Sequence, residues 1–279
     1  MSGIKSPWWH RALVHLVLVA TIAVTLYPIL QILSISLRPG DKLYSTSLNL
    51  IPDGATLAAY RTILFERDFL LWLRNSLVVS LAVTLVSVAL AASAGYAFSR
   101  FRFPGDRTAL LSFLLTQMFP ATMLFLPLWV LLKKLGLLNS FQGLIIVYVT
   151  TALPFCVWTM KGYFDSIPRD LEEAALIDGL SPFGAFTRIV LPLSLPALTI
   201  TALFSFMAAW SEFIVARKVL VDQKLYTLPL GLEALAGTFQ TEWANYAAGS
   251  VLVSVPVVVL FLLLNRFLVS GLTLGGVKG

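Results

Sequence analysis

Long apolar runs dominate this sequence. The chain is 58% hydrophobic and 12% charged, against about 25% charged residues in a typical soluble domain. About 20 apolar residues are enough for a helix to cross the hydrocarbon core of a bilayer, where backbone polar groups must be satisfied within the segment. Six runs approach or exceed this length: residues 12–35, 72–98, 108–132, 141–164, 191–212 and 246–268. We therefore expect an all-α polytopic membrane protein with six transmembrane helices.

Six spans place both termini on one side of the membrane, with a short N-terminal segment at 1–11, a membrane domain at 12–268 and a tail at 269–279. Lysine and arginine divide evenly between the two sides. The short Arg100–Arg107 turn favours the cytoplasm and Lys133-Lys134 argues for the opposite side. Charge alone therefore leaves the orientation open.

Composition also argues against several kinds of functional site. The formal charge of +6 is scattered, without the basic patch typical of nucleic-acid binding. The sole cysteine, Cys156, lies in an apolar run, which excludes an internal disulfide and favours a buried thiol. The two histidines, His10 and His15, lie near the start of the first run and are interpreted as interfacial, because the chain has no other histidine to join them as metal ligands. No metal site, cofactor or catalytic centre is therefore predicted.

The chain cannot supply its own energy. The predicted spans carry no Asp or Glu at mid-membrane, and so no candidate for the proton or sodium relay of a secondary carrier. The phosphate-binding pattern G-x-x-x-x-G-K-[ST] is absent as well. Glu212, near the end of the fifth run, is interpreted as an interfacial charge in preference to a gate.

A polar stretch from Ser166 to Pro196 separates the fourth and fifth runs. Ser166 and Pro168 predict a helix start, followed by acidic residues in the first turn, where the helix dipole favours negative charge. Gly179 predicts the end of this helix, and Ser181-Pro182 predicts the start of a second one. The spacing i, i+3, i+4 of Leu171, Ala174 and Ala175 predicts a shared shallow face suited to close approach. These patterns alone also fit a solvated amphipathic loop.

The same stretch carries a more specific pattern. Glu173-Ala174-Ala175, then Gly179, then Ile189-x-Leu191-Pro192 resembles the EAA motif of binding-protein-dependent ABC importers at every fixed position. The resemblance continues along nearly the whole chain to the MalG-type permease subunits of maltose/maltodextrin importers. In that family the loop, here residues 165–190, contains a coupling helix that docks on a cytoplasmic ATPase subunit. The coupling residues implied are Leu171, Glu173, Ala174, Ala175, Asp178, Gly179, Ile189, Leu191 and Pro192.

The resemblance extends to two other segments. The terminal G-L-T-L-G-G-V-K-G is similar to a family tail that reaches along the ATPase pair, and it implies ATPase contacts for Thr273, Gly275, Gly276, Lys278 and Gly279. A frayed terminus is the alternative. Residues 231–243 correspond in position to a periplasmic loop that enters the cleft of the sugar-binding protein.

The resemblance implies a bacterial or archaeal inner-membrane permease with both termini cytoplasmic, which works by alternating access. Its implied partners are a MalF-type permease, two cytoplasmic ATPase subunits that hydrolyse the ATP, a periplasmic or lipid-anchored sugar-binding protein, membrane lipid and the sugar. Maltose or maltodextrin is favoured, another saccharide such as trehalose is the alternative, and a six-span secondary carrier is the rival from another class.

Individual residues receive narrower predictions. Gln117, Thr150 and Trp210 are candidates for lining a sugar pathway, with interhelical packing as the alternative role of each. Glu173 is predicted to pair with an arginine on the ATPase, because a partly desolvated carboxylate needs a cationic partner and the guanidinium fork fits both oxygens.

Overall fold

The computed structural model describes residues 7–40, 49, 51–119, 121–236 and 241–274. Within these ranges the regular secondary structure is helical, as the apolar runs predict. The first helices are α1 (Trp8–Ser36), α2 (Ala58–Phe65), α3 (Phe69–Arg100), α4 (Asp106–Met118), α5 (Ala121–Lys134) and α6 (Phe141–Ser166). The later ones are α7 (Asp170–Ile177), α8 (Pro182–Ala185), a π-helical turn (Phe186–Val190), α9 (Leu191–Leu193), α10 (Leu195–Trp210), α11 (Ile214–Val219), a 3-10 turn (Gln223–Leu225), α12 (Leu228–Leu235) and α13 (Trp243–Leu274).

Across the described residues, four helices are long and apolar enough to cross a membrane: α1, α3, α6 and residues Trp243–Asn265 of α13. Two further spans are formed if each of two bent helix pairs counts as one. The prediction of six spans is confirmed in this sense.

The third and fifth runs are broken in the structure. Residues 108–132 form parts of α4 and α5, and Pro120 between them lies outside the described residues. The fifth span is expected to begin at Leu191 or a little later, and α10 begins at Leu195. The helix bends by 77° between Pro182–Leu193 and α10. Pro196 stands in the first turn of α10, where proline is tolerated but cannot continue a preceding helix.

The chain forms two compact units. The first comprises residues 1–69 and 232–254. In it Ser36 Oγ contacts the Tyr60 hydroxyl at 2.8 Å, and Arg67 Nη2 donates to Glu242 Oε1 at 2.6 Å. Ala59, Ala244 and Ala248 form its small buried cluster.

The second unit comprises residues 70–231 and 255–279 and is built around α6. One buried cluster packs Leu144 and Val147 of α6 against α3 and α11. The other packs Val157 and Met160 of α6 against the alanines of α3. Gly95 permits this approach, since a Cβ there would lie 2.9 Å from the Met160 Cβ.

Cys156 belongs to the second of these clusters. It is fully buried, and its Sγ lies 3.2 Å from Ser205 Oγ. The prediction of a buried thiol is therefore confirmed.

Polar side chains fasten the segment that follows α10. Asn75 Nδ2, near the start of α3, donates to the carbonyls of Lys224 and Tyr226 at 2.9 and 3.0 Å. Asn139 Oδ1 accepts from the amides of Val221 and Asp222, both at 2.9 Å. Asn75 lies far from Arg100 at the other end of α3, because the 32 residues of this helix extend over about 48 Å.

The boundaries at the C-terminal end differ from those expected. Helix α13 continues to Leu274, so the backbone of Thr273 is helical. Gly275, Gly276, Lys278 and Gly279 lie outside the described residues. Of residues 231–243, Gly231 to Leu235 belong to α12 and 237–240 are not described.

Candidate functional site

The loop between α6 and α10 begins with helix α7, whose ends follow from its sequence. Asp170, Glu172 and Glu173 occupy its first turn. Gly179 stops it with a φ of +88°, which glycine adopts without the penalty a Cβ would impose. Leu180 N donates to Ala175 O at 3.0 Å and Gly179 N to Leu176 O at 3.1 Å, the paired bonds of a Schellman motif. The glycine stop is therefore confirmed.

The two helix starts of the loop differ from each other. Ser181 caps the second helix, with its Oγ accepting from Gly184 N at 3.1 Å and Pro182 in the first turn. The expected start at Ser166 is wrong, because Ser166 is the last residue of α6. Helix α7 instead follows Arg169, which provides no side-chain cap.

One side of α7 is bound to the membrane helices by an ion pair. Arg100 Nε, at the end of α3, donates to Glu172 Oε1 at 2.5 Å, and their side chains are only 8% and 11% exposed. The other carboxylate oxygen, Oε2, accepts from the Tyr96 hydroxyl at 2.7 Å. Both oxygens of Glu172 are thus satisfied by α3, as a buried carboxylate requires.

The remaining donors of Arg100 hold the end of α6. Nη1 donates to Phe164 O at 2.8 Å and to Ser99 Oγ at 3.0 Å, and Nη2 donates to Ile167 O at 3.1 Å. The carbonyls at a helix C-terminus lack intrahelical partners, and a cation there is favoured by the helix dipole. One guanidinium therefore joins α3, α6 and α7.

Three further side chains extend this cluster. Arg169 Nη2 donates to Ser99 O, near the end of α3, at 3.0 Å. Ser99 Oγ donates to Asp165 Oδ1 at 2.7 Å, and Lys161 Nζ donates to Asp165 Oδ2 at 2.6 Å. We name the anchor cluster as Tyr96, Ser99, Arg100, Lys161, Asp165, Arg169 and Glu172.

The second half of the loop contacts the same cluster through an aromatic ring. The ring of Tyr96 packs on Phe186, with centroids 4.4 Å apart, and meets Phe164 edge-on at 5.9 Å. Phe186 opens the π-helical turn that precedes Pro192. A proline ring clashes with the carbonyl four residues before it in an α-helix, and the wider turn stands where that clash would occur.

The opposite side of α7 is free of such contacts among the described residues. Ile177 is 86% exposed, and Asp170, Glu173 and Ala174 are exposed with it. Their spacing i, i+3, i+4, i+7 places them on one face. We call Asp170, Glu173, Ala174 and Ile177 the outward face; Leu171 and Leu176 flank it, 45% and 44% exposed.

The predicted docking face of Leu171, Ala174 and Ala175 is therefore wrong in one member. Ala175 is only 6% exposed and lies on the buried side of α7 with Glu172. Asp178 and Gly179 are exposed at the end of the helix. Ile189 and Leu191 are half-buried and Pro192 is exposed.

The three candidates for lining a sugar pathway differ in their exposure. Gln117 Nε2 donates to Thr151 O at 3.0 Å and Thr150 Oγ1 to Ile146 O at 2.7 Å, and both residues are exposed. Trp210 is 3% exposed and stacks on Phe206 at 5.3 Å. It belongs to the packed interior of this chain and lines no exposed surface.

Glu212 has a structural role that its position at a helix end did not reveal. It accepts from the Tyr148 hydroxyl at 2.6 Å and from the amides of Val215 and Ala216 at 2.9 and 3.1 Å. It therefore binds α6 and the start of α11 together.

Comparisons with known proteins identify the family of this chain. Residues 87–273 match the family described as the inner membrane component of binding-protein-dependent transport systems. The chain is 39% identical to the maltose/maltodextrin transport system permease protein MalG of Salmonella typhimurium, over 99% of this chain and 98% of that protein. It is also 39% identical to the galactooligosaccharides transport system permease protein GanQ of Bacillus subtilis, over the full length of both.

A solved structure has the same fold. It is a bacterial ABC transporter involved in the import of the acidic polysaccharide alginate, with a TM-score of 0.82 and 22% identity, covering 94% of this chain and 97% of that one. The chain therefore belongs to the family of inner membrane components of binding-protein-dependent transport systems.

Proposed function

We propose that this chain is a permease subunit of an ATP-driven sugar importer in the inner membrane, and that α7 is its docking helix for a cytoplasmic ATPase subunit. The observation that carries the proposal is the two-sided character of α7. Its inner side is bound to α3 through the buried Arg100–Glu172 pair, while Ile177 on its outward face is 86% exposed.

The outward face has the chemistry of a protein contact. An exposed isoleucine flanked by two half-exposed leucines supplies apolar area, and Ala174 leaves room for close approach. Glu173 adds a carboxylate at the same face. Docking would desolvate this carboxylate, so we assign it an arginine partner on the ATPase, a pairing that is short and bidentate in favourable geometry.

The sugar is proposed from the relatives. MalG permeases serve maltose and maltodextrin transport and GanQ serves galactooligosaccharides, and the two are equally similar to this chain. An oligosaccharide is the substrate class that both share. Within it we favour maltose or maltodextrin, and a galactooligosaccharide is the alternative.

The remaining partners follow from the same assignment. The complex would contain a second permease, two ATPase subunits and an extracytoplasmic sugar-binding protein. Both termini would be cytoplasmic, since α7 must face the ATPase. Alternating access would follow from ATP-driven movement of α7 and the helices bound to it.

The test is uptake by the purified complex in proteoliposomes. Labelled maltotriose and labelled galactobiose are supplied outside with the binding protein, and ATP or ADP is enclosed. The proposal predicts uptake of one of them with ATP only. Uptake with ADP, driven by the sugar gradient or an ion gradient, would instead identify a secondary carrier.

The role of α7 is tested by paired alanine variants on the outward face. Truncating one side of a buried charge pair costs about 2–5 kcal/mol, so Glu173→Ala is expected to reduce the ATPase recovered with the permease. Asp170→Ala, in the first turn of the same face, is the control and is expected to have a smaller effect. Equal and mild effects would mean that shape alone docks the helix.

A further inference from the structure

We infer that Arg100 and Tyr96 are positioning residues for coupling: they fix α7 to α3 and α6, so that a displacement of α7 by the ATPase becomes a displacement of these spans. The inference rests on the proposed function. It concerns the buried side of α7 and is independent of the residues that contact the ATPase.

The geometry supports a rigid connection between α7 and the spans α3 and α6. We call the hydrogen bonds of Arg100 and Tyr96 that form this connection the joint. Arg100 uses Nε, Nη1 and Nη2 on four acceptors that belong to α7, α6, the residue after α6 and its own helix. A planar guanidinium in such a fork has little freedom to rotate. Its partner Glu172 is held a second time by the Tyr96 hydroxyl at 2.7 Å. Helix α7 can therefore not slide along α3 without breaking both hydrogen bonds that the buried Glu172 carboxylate accepts.

Tyr96 extends the joint to the second half of the loop. Its ring packs on Phe186 at 4.4 Å while its hydroxyl binds α7, so one side chain contacts both halves. Gly95, its neighbour, lets α3 and α6 approach closely. The pair Pro182–Leu193 and α10 is bent by 77°, and this bend lies beyond the anchor cluster in the chain.

Two substitutions weaken the joint without changing the outward face. Arg100→Lys keeps the positive charge but cannot reach the same set of acceptors. Tyr96→Phe removes one hydroxyl and keeps the ring on Phe186. Arg102→Lys is the matched control, since the Arg102 side chain is 84% exposed.

The experiment measures assembly and coupling separately in the full complex. Assembly is the amount of ATPase recovered with the permease, and coupling is the ratio of ATP hydrolysis with and without binding protein loaded with maltotriose, or with galactobiose if the wild type imports that sugar. Coupling between two sites commonly changes the affinity at one of them by about 5- to 150-fold. We expect Arg100→Lys to lower the ratio by about fivefold or more with normal recovery and an unchanged KM for ATP. Tyr96→Phe should lower it less, and Arg102→Lys should leave it unchanged.

Hydrogen exchange supplies a readout that does not depend on the sugar. In Arg100→Lys, amides of residues 170–180 should exchange faster, while those of 144–157 in α6 keep their protection, which distinguishes a loosened joint from unfolding. A normal stimulation ratio in both variants would overturn the inference. Loss of ATPase recovery would overturn it as well, because Arg100 would then shape the docking surface. A wild-type complex without ATP-dependent uptake would instead refute the proposed function, whatever the variants do.

Should Arg100→Lys fail to accumulate in the membrane, Tyr96→Phe decides the matter alone. It leaves the buried ion pair in place, and its expected signature is a lowered stimulation ratio with faster exchange in α7. Unchanged values for both quantities would refute the role of Tyr96 and with it the joint.

Discussion

Glu172 and Glu173 are adjacent carboxylates on opposite sides of α7, and we predict that their alanine variants fail in different ways. Glu172→Ala should destabilise the permease itself. Glu173→Ala should leave its stability nearly unchanged and weaken its association with the ATPase. The pair is well matched, because both residues lie in the first turn of the same helix.

The magnitudes follow from burial. Removing Glu172 leaves the Arg100 guanidinium, 8% exposed, without its carboxylate, and breaking a buried pair in this way costs about 3–5 kcal/mol. Glu173 is exposed, and surface substitutions usually change stability by less than about 0.5 kcal/mol. Its cost of about 2–5 kcal/mol should arise only in the assembled complex.

Thermal unfolding of the purified permease pair and ATPase recovery measure the two effects. A loss of about 3 kcal/mol should lower the Tm by about 5 °C if this chain of 279 residues unfolds by itself, and by less if it unfolds together with the second permease. We expect this shift for Glu172→Ala only. Glu172→Gln, which keeps the shape and one acceptor oxygen, should shift the Tm less.

Two results would refute this reasoning. An unchanged Tm for Glu172→Ala would mean that the ion pair contributes little to holding α7. Equal Tm shifts for both variants would mean that Glu173 is also buried against this permease, contrary to the two-sided arrangement.

Three other perturbations test separate parts of the structure. A Cβ added at Gly179 meets no atom within 4 Å. Gly179→Leu should therefore cost mainly the backbone strain of a left-handed residue, about 1–2 kcal/mol, and lower sugar uptake by redirecting the chain that leaves α7; normal uptake and normal ATPase recovery would contradict this. Gly95→Ala places a Cβ 2.9 Å from that of Met160 and should lower the stability by about 1–3 kcal/mol, whereas Gly162→Ala in α6, with open space around it, should leave the Tm equal or slightly raised. Deleting residues 275–279 should preserve the membrane level and reduce sugar-stimulated ATP hydrolysis, and a loss of the protein from the membrane would reveal a folding role instead.

Sequence patterns predicted what depends on local chemistry. The six apolar runs located the spans because hydrophobic length determines whether a helix can cross a bilayer. Gly179 and Ser181-Pro182 predicted a helix end and a helix start because these residue types satisfy terminal backbone groups in known ways. None of these predictions requires knowledge of a distant partner.

The anchor cluster could not be predicted in this way. In the sequence Arg100 is only one basic residue of a short turn, because its carboxylate partner lies 72 positions further along the chain. The bond depends on how α3 and α6 pack, and a single sequence does not contain that information. The only available signal was an arginine at the end of a span together with an acidic helix in a later loop.

The error about Ala175 has a related cause. The spacing of Leu171, Ala174 and Ala175 is compatible with one face of a helix. A short docking helix, however, has two contact sides: one packs on the spans of its own chain and the other meets the partner protein. Periodicity does not tell which side meets the chain's own spans. Burial in the structure decides it: Glu172 and Ala175 face inward, and Ile177 faces outward.

Photo-crosslinking from the outward face tests the docking of α7 most directly. A benzophenone amino acid replaces Ile177 in one version of the complex and Val221, 76% exposed in the segment fastened by Asn139, in another. Illumination of the assembled importer should join residue 177 to the ATPase subunit and should give no such product from residue 221. The account would be contradicted by a complex that assembles and hydrolyses ATP normally but yields the ATPase product from residue 221 or from neither position.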